Sequence, residues 1–271
     1  MYKIGWFSSG RDEAARELLK VVHDSIQSGF INAEFDFVFS NRERGRDPES
    51  DAFFRLVEGY GIDLIFFSSK KFQPENRKKN LEEWRRTYDR EMMKHLKNYD
   101  PDLCVLAGYM LITGAEICKK YTMINLHPAE PGGPTGTWQE VIWKLIQEKA
   151  DRTGVMMHHV TEILDRGPPI TYCTFPIRGG KFDPLWDNME NKLKKGSLEE
   201  IIQKEGEDEP LFKEIRIEGV RRELPLIIQT IKEFAIGRVK VEEGNIVAEG
   251  KVIAGAYDLT DEIEKLLREQ G

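Results

Sequence analysis

The sequence predicts an α/β fold: a Rossmann-like, mainly parallel sheet with helices on both faces, followed by a C-terminal helix and hairpin extension. Two patterns carry that expectation. Over roughly the first 160 residues, short apolar runs alternate with amphipathic stretches of helical length, the signature of repeated βαβ units. From about residue 181 onward, charged helical stretches and one period-two segment replace that alternation.

In chain order, the apolar runs at 3–7, 35–40, 64–67, 103–107, 123–127 and 155–160 are the expected strands. Recurrence of apolar positions at helical spacing predicts helices over 13–27, 51–59, 81–97, 115–121 and 139–149. Gly10 punctuates the first strand-to-helix turn, and Pro101-Asp102 feeds a strand from a loop. Further on, 187–205 is charged and helical, with an interruption at Gly196-Ser197, and 206–210 resembles a linker. A helix follows over 211–234, which Pro225 should break or kink because it removes a donor and crowds the preceding turn. Residues 238–253 then alternate around Glu243-Gly244-Asn245, a hairpin signal, and a last helix covers 261–269. The expected division is a main domain at 1–180 with an extension at 181–271 packed on it.

Composition narrows the function class. The chain has 271 residues and a net charge of −7 with both signs interleaved, so it carries no nucleic-acid footprint. Basic clusters such as Arg42–Arg46 and Arg77–Lys79 read as solvated faces. No apolar run approaches the roughly 20 residues that span a bilayer, and no signal-peptide pattern opens the chain. Cys104, Cys118 and Cys173 are scattered and lack metal-ligand spacing. A reduced cytoplasmic setting without a bound metal is the expectation.

The chemistry concentrates in Met123-Ile-Asn-Leu-His-Pro128. Asn125 and His127 stand two apart on a strand that stops at Pro128, so alternation sends both side chains to one face. Open α/β sheets build their sites at such strand ends. Downstream, Asp165 sits in a loop after the strand at 155–160. An amide donor, an imidazole and a carboxylate suit a reaction that creates an oxyanion and moves protons. Taken singly, each has a plainer reading: a turn-forming Asn, a satisfied core His, an ordinary turn Asp. His158 and His159 fall outside the candidate set, with one expected to face the core and the other the opposite side.

Several segments then share an order and spacing with a known family. Asn125-x-His127-Pro128, Leu164-Asp165-x-Gly167-Pro168, Phe39-Ser40-Asn41, Tyr88-Asp-Arg-Glu91 and Pro101 to Met110 resemble the folate-dependent formyltransferases. Among these the likeness is to the glycinamide ribonucleotide transformylases of purine synthesis, over roughly residues 1 to 180. The resemblance implies the formyltransferase fold, with 1–180 as catalytic domain, and 10-formyltetrahydrofolate as co-substrate without a metal. It assigns catalysis to Asn125, His127 and Asp165, and the pterin site to Met110, Leu111, Ile112, Thr161 and Leu164. The acceptor's phosphate would lie on Ser9, Gly10 and Arg11 after the first strand. The expected partners are a small amine substrate and folate, with room for a homodimer and none for nucleic acid or membrane.

The acceptor side departs from the family pattern. Asp12 and Glu13 follow Arg11 where a Ser-Asn pair is usual, and Arg221 to Pro225 lacks the family's Glu-His pair. Ala129 to Gly136 replaces a Leu-Leu-Pro, and Leu111 stands where an Arg is common. The acceptor is therefore open between glycinamide ribonucleotide and another amine, such as an amino sugar nucleotide. A deformylase, in which water replaces the amine, and a non-catalytic folate-binding module are the readings from other classes.

Overall fold

The first strand, β1 (Tyr2–Phe7), is buried on both faces from Ile4 onward, which is why it reads as an unbroken apolar run. The computed structural model describes residues 1–163 and 166–269. After β1 come α1 (Glu13–Gln27), β2 (Ala33–Ser40), α2 (Pro48–Gly59), β3 (Leu64–Phe66), α3 (Pro74–Lys79) and α4 (Leu81–His95). β4 (Leu103–Leu106), α5 (Ala115–Lys120), β5 (Met123–His127), α6 (Trp138–Gln147), β6 (Arg152–His159) and β7 (Pro169–Pro176) follow. The central sheet runs β7-β6-β5-β4-β1-β2-β3, parallel except where β6 pairs antiparallel with β5 and with β7. The expected mainly parallel sheet is present.

Helices cover both faces. Trp6, Val38, Val105 and Ile124 pack beneath α1 and α2 on one side. Phe7, Phe37, Phe39 and Met123 pack beneath Trp84, Tyr88 and Met92 of α4 and Ile117 of α5 on the other. Each such side chain contributes about 1.5–3 kcal/mol relative to exposure. Helix starts follow local rules. Asp12, Asp47 and Asn80 accept backbone N–H groups at the heads of α1, α2 and α4, and Thr137 with Glu140 forms a capping box on α6.

The C-terminal part contains α7 (Asp183–Leu193), α8 (Leu198–Glu205) and α9 (Pro210–Ala235). After them come β8 (Val239–Glu242), β9 (Asn245–Ala248), β10 (Lys251–Val252), β11 (Tyr257–Asp258) and α10 (Thr260–Glu269). Three expectations need correction here. α9 runs through Pro225 without ending. A helix-interior proline costs about 3 kcal/mol, whereas Leu226, Ile227, Ile231 and Phe234 just beyond it are buried in the core shared with β1. At about 1.5–3 kcal/mol each, their burial outweighs the proline. Residues 206–210 are not a free linker: Glu209 is fully buried, caps α9 at Phe212 N–H (2.9 Å) and pairs with Lys192 (3.1 Å).

The alternating segment makes two turns instead of one. Glu243-Gly244 and Glu249-Gly250 both take positive φ, as primed hairpin turns demand, and β10-β9-β8 forms a small antiparallel sheet. β11 adds in parallel to the edge of the main sheet beside β7. Neither β7 nor α3 was expected, because prolines bound β7 at both ends and Pro74 opens a helix of one and a half turns.

Gly5 shows how tightly the centre is packed. A Cβ there would lie 2.8 Å from the Phe37 ring and 3.0 Å from Cys104 Sγ. Gly5→Ala is expected to destabilise the fold by about 1–3 kcal/mol, the usual cost of overpacking, read as a lower urea midpoint at unchanged m-value.

Candidate active site

β5 delivers its side chains as alternation requires. Ile124 and Leu126 join the core on one face, leaving Asn125 and His127 on the other. The antiparallel register sets Asn125 directly opposite His158 of β6. Asn125 Nδ2 lies 3.2 Å from His158 Nε2, and the His127 and His158 rings meet edge to face at 6.2 Å. His158 Nδ1 lies 3.1 Å from the His159 carbonyl, which can only accept. Nδ1 therefore carries a proton, and in the neutral ring Nε2 accepts one amide hydrogen of Asn125. The second amide hydrogen has no partner among the described residues.

His127 is buried, and its Nε2–H donates to the Pro134 carbonyl (3.0 Å) in the loop leaving β5. His158 thus belongs with Asn125 and His127, which sequence reasoning had not placed there. His159 points away and is half-buried, and burial pushes its imidazole below the ordinary histidine range. Asp165 and Leu164 lie outside the described residues.

Asn125 and His158 open onto a small cavity of about 50 Å³ walled by Tyr109, Leu111, Ile112 and Thr161. Ile163 stands 61% exposed at its edge. An apolar slot with a few polar groups is what a flat heteroaromatic ring requires. Of the expected pterin residues, Leu111, Ile112 and Thr161 are brought together here. Met110 is instead half-exposed, its backbone N–H held by Ser9 Oγ (2.9 Å). Tyr109 seats the loop by packing edge-on against Phe7.

The candidate acceptor residues occupy the β1–α1 turn. Ser9 is buried, and its hydroxyl donates to Asn41 Oδ1 (2.7 Å) while accepting from Met110. Gly10 has φ +55, and a Cβ there would lie 2.7 Å from Phe53. Arg11 is exposed and reaches Asp12 (3.3 Å). Among the described residues, no group of three His, Cys, Asp or Glu could hold a metal ion, and no helix is long and apolar enough to cross a membrane.

Residues 3–195 match the profile of the formyl transferase family. The chain belongs to that family. It is 31% identical over 169 residues to the phosphoribosylglycinamide formyltransferase of Dictyostelium discoideum, covering 59% of this chain and 78% of that one. Against the Schizosaccharomyces pombe protein of the same name it is 33% identical over 168 residues, covering 59% and 77%. The solved phosphoribosylglycinamide formyltransferase from Coxiella burnetii superposes with a TM-score of 0.67 at 21% identity, over 94% of this chain and 99% of that one. At that identity the superposition speaks for the fold.

This formyl transferase ties its slot to α4 through a buried carboxyl. Asp89 accepts the Gly114 N–H at the head of α5, and a Cβ on Gly114 would sit 2.6 Å from the same oxygen. Burial raises the Asp89 carboxyl to about 7, against the lowering effect of the Gly114 hydrogen bond. The fold therefore favours the protonated form. That contribution is complete below the unfolded value near pH 4 and is lost as pH rises towards 7, by on the order of 4 kcal/mol. Asp89→Asn keeps the acceptor without the charge. Its unfolding free energy should fall less steeply than the wild type's between pH 4 and 7 in urea titrations, and a wild-type slope would contradict the assignment.

Proposed function

We propose that this enzyme transfers the formyl group of 10-formyltetrahydrofolate to the amine of glycinamide ribonucleotide, in purine synthesis. The observation that carries the reading is the Asn125 amide, held by His158 at the mouth of an apolar slot with one N–H uncommitted among the described residues. The names of the Dictyostelium and fission-yeast relatives supply the acceptor. In the reaction the amine attacks the formyl carbon, and its C=O becomes a C–O⁻. The tetrahedral intermediate collapses by breaking the bond to N10, which takes up a proton as the attacking nitrogen loses one.

Asn125 donates its second N–H to the developing oxyanion. Because the Nε2–H of His127 is engaged by Pro134, Nδ1 is the nitrogen left to accept a proton from the attacking amine and pass it to N10. Asp165 is assigned the role of orienting the imidazole and a water that moves the proton between the two nitrogens. Leu111, Ile112 and Thr161 face the pterin, with Met110 at its border, and Leu164, outside the described residues, is assigned to the same site by the family resemblance. The amine enters past the C-terminal end of β1, beside Ser9, Gly10 and Arg11. In this reading residues 1–180 carry the reaction in the cytoplasm, and 181–271 cover the sheet.

With purified protein and the folate donor, tetrahydrofolate should appear only when glycinamide ribonucleotide is added. Formate release without an acceptor would instead mark a hydrolase. Asn125→Ala should lower kcat by about 10²–10³-fold, the usual cost of one oxyanion donor. His127→Ala and Asp165→Asn should be comparably impaired while still folded, as read from a cooperative thermal transition. Near-normal turnover in all three would refute the assignment.

A further inference from the structure

The turn after β1 has little to offer a phosphate. Ser9 N–H is bonded to the Gly108 carbonyl (3.1 Å), Gly10 N–H to Ser8 Oγ (3.1 Å), and the Ser9 hydroxyl is spent on Asn41 and Met110. The head of α1 is closed by the Asp12 carboxylate, with Glu13 beside it. An anion there would meet the Asp12 and Glu13 carboxylates, and the Arg11 guanidinium is already paired with Asp12 (3.3 Å).

The neighbouring loops present the opposite character. Between the segments leaving β2 and β3 lies a cleft of about 330 Å³, lined by Arg42, Arg46, Lys70 and Lys71 together with Glu43 and Asp47. Neither carboxylate is idle. Glu43 is held by Lys71 (2.7 Å) and Arg46 (2.9 Å), whose hydrogen bonds keep its carboxyl below the ordinary range. Asp47 accepts the Glu49 and Ser50 N–H groups at the head of α2. Lys70 has no carboxylate partner among the described residues, and Arg42 comes only within 4.0 Å of Asp47. The cleft therefore holds two positive charges in excess, matching the charge of about −1.5 to −2 on a phosphate monoester near pH 7.

The cleft is also fixed in place relative to the slot. Ser9 Oγ bonds Asn41 Oδ1 (2.7 Å), and Asn41 Nδ2 bonds Ser69 Oγ (3.2 Å), tying the ends of β1, β2 and β3 into one edge. β2 stands three strand positions from β5, roughly 14 Å at ordinary sheet spacing. Arg and Lys side chains shorten that gap to the span of a sugar phosphate bearing an amine at its far end.

We propose that the β2–β3 cleft receives the phosphate of the amine acceptor, with Arg42 and Lys70 as its main ligands and Arg46 and Lys71 turning from Glu43 to assist. This rests on the formyl-transfer reading above. The K70A/K71A double variant should raise KM for glycinamide ribonucleotide by about tenfold or more, the worth of a charge-assisted contact. KM for the folate donor should stay at its wild-type value. Lys78→Ala, on α3 and outside the cleft, should leave both unchanged. Inorganic phosphate should compete with the acceptor in the wild type, and only weakly in the double variant. An unaltered acceptor KM overturns the proposal. So does a rise confined to the folate KM, which would assign the cleft to the carboxylates of the folate tail. If the wild type does not turn over glycinamide ribonucleotide, the acceptor reading fails separately. The cleft is then judged by calorimetric titration with inorganic phosphate: saturable binding lost in the double variant sustains the anion site, and absent or unaffected binding removes it.

Discussion

The antiparallel register between β5 and β6 is the constraint on which the candidate site depends. It sets Asn125 across from His158 and His127 across from Met156. Because side chains alternate faces along a strand, a slip of one residue would turn His158 into the opposite face and bring His159 to Asn125. The register is held by the burial of Val155 and Met157 on the core side and by the pairing of β6 with β7 along most of its length. The orientation of the amide is therefore maintained by hydrophobic packing one residue away from any polar atom.

Loop placement depends on a second set of polar contacts. Ser9 joins the turn after β1 to Asn41 and to the start of the Met110 loop, and Asp89 joins that loop's far end to α4. The Ser9–Asn41 bond is buried and the other two are partly so, and the Ser9 and Asp89 side chains that anchor them are buried, so breaking either set would leave polar groups poorly satisfied. The slot and the basic cleft thus lie on one edge whose parts are linked through buried and partly buried hydrogen bonds, with exposed ion pairs contributing little.

Much of this was legible in the sequence because it follows from local periodicity. α1 falls on the expected residues, and β5 does too, since an apolar run ending at Pro128 has few other readings. Asn125 and His127 could be assigned to one face by counting alone. His158 could not, because its role requires knowing that β6 runs antiparallel to β5. Arg42 to Arg46 read as a solvated face for a similar reason: only the adjacency of the β2 and β3 loops makes it one wall of a concavity. Pro225 misled because local cost was visible and the compensating burial of Ile227 and Ile231 was tertiary. Glu209 looked like part of a charged connector until Lys192, from a different helix, closed over it.

The position of α9 has a consequence for how the chain can be recombined. The stretch matching the family ends at residue 195, yet Leu226, Ile227, Ile231 and Phe234 share a core with Ile4, Trp6 and Ile124. A chimaera joined at that boundary would strip the underside of the central strands and leave them open to edgewise or facial association with other chains. The smallest exchangeable module therefore includes the long helix, and sequence homology underestimates it.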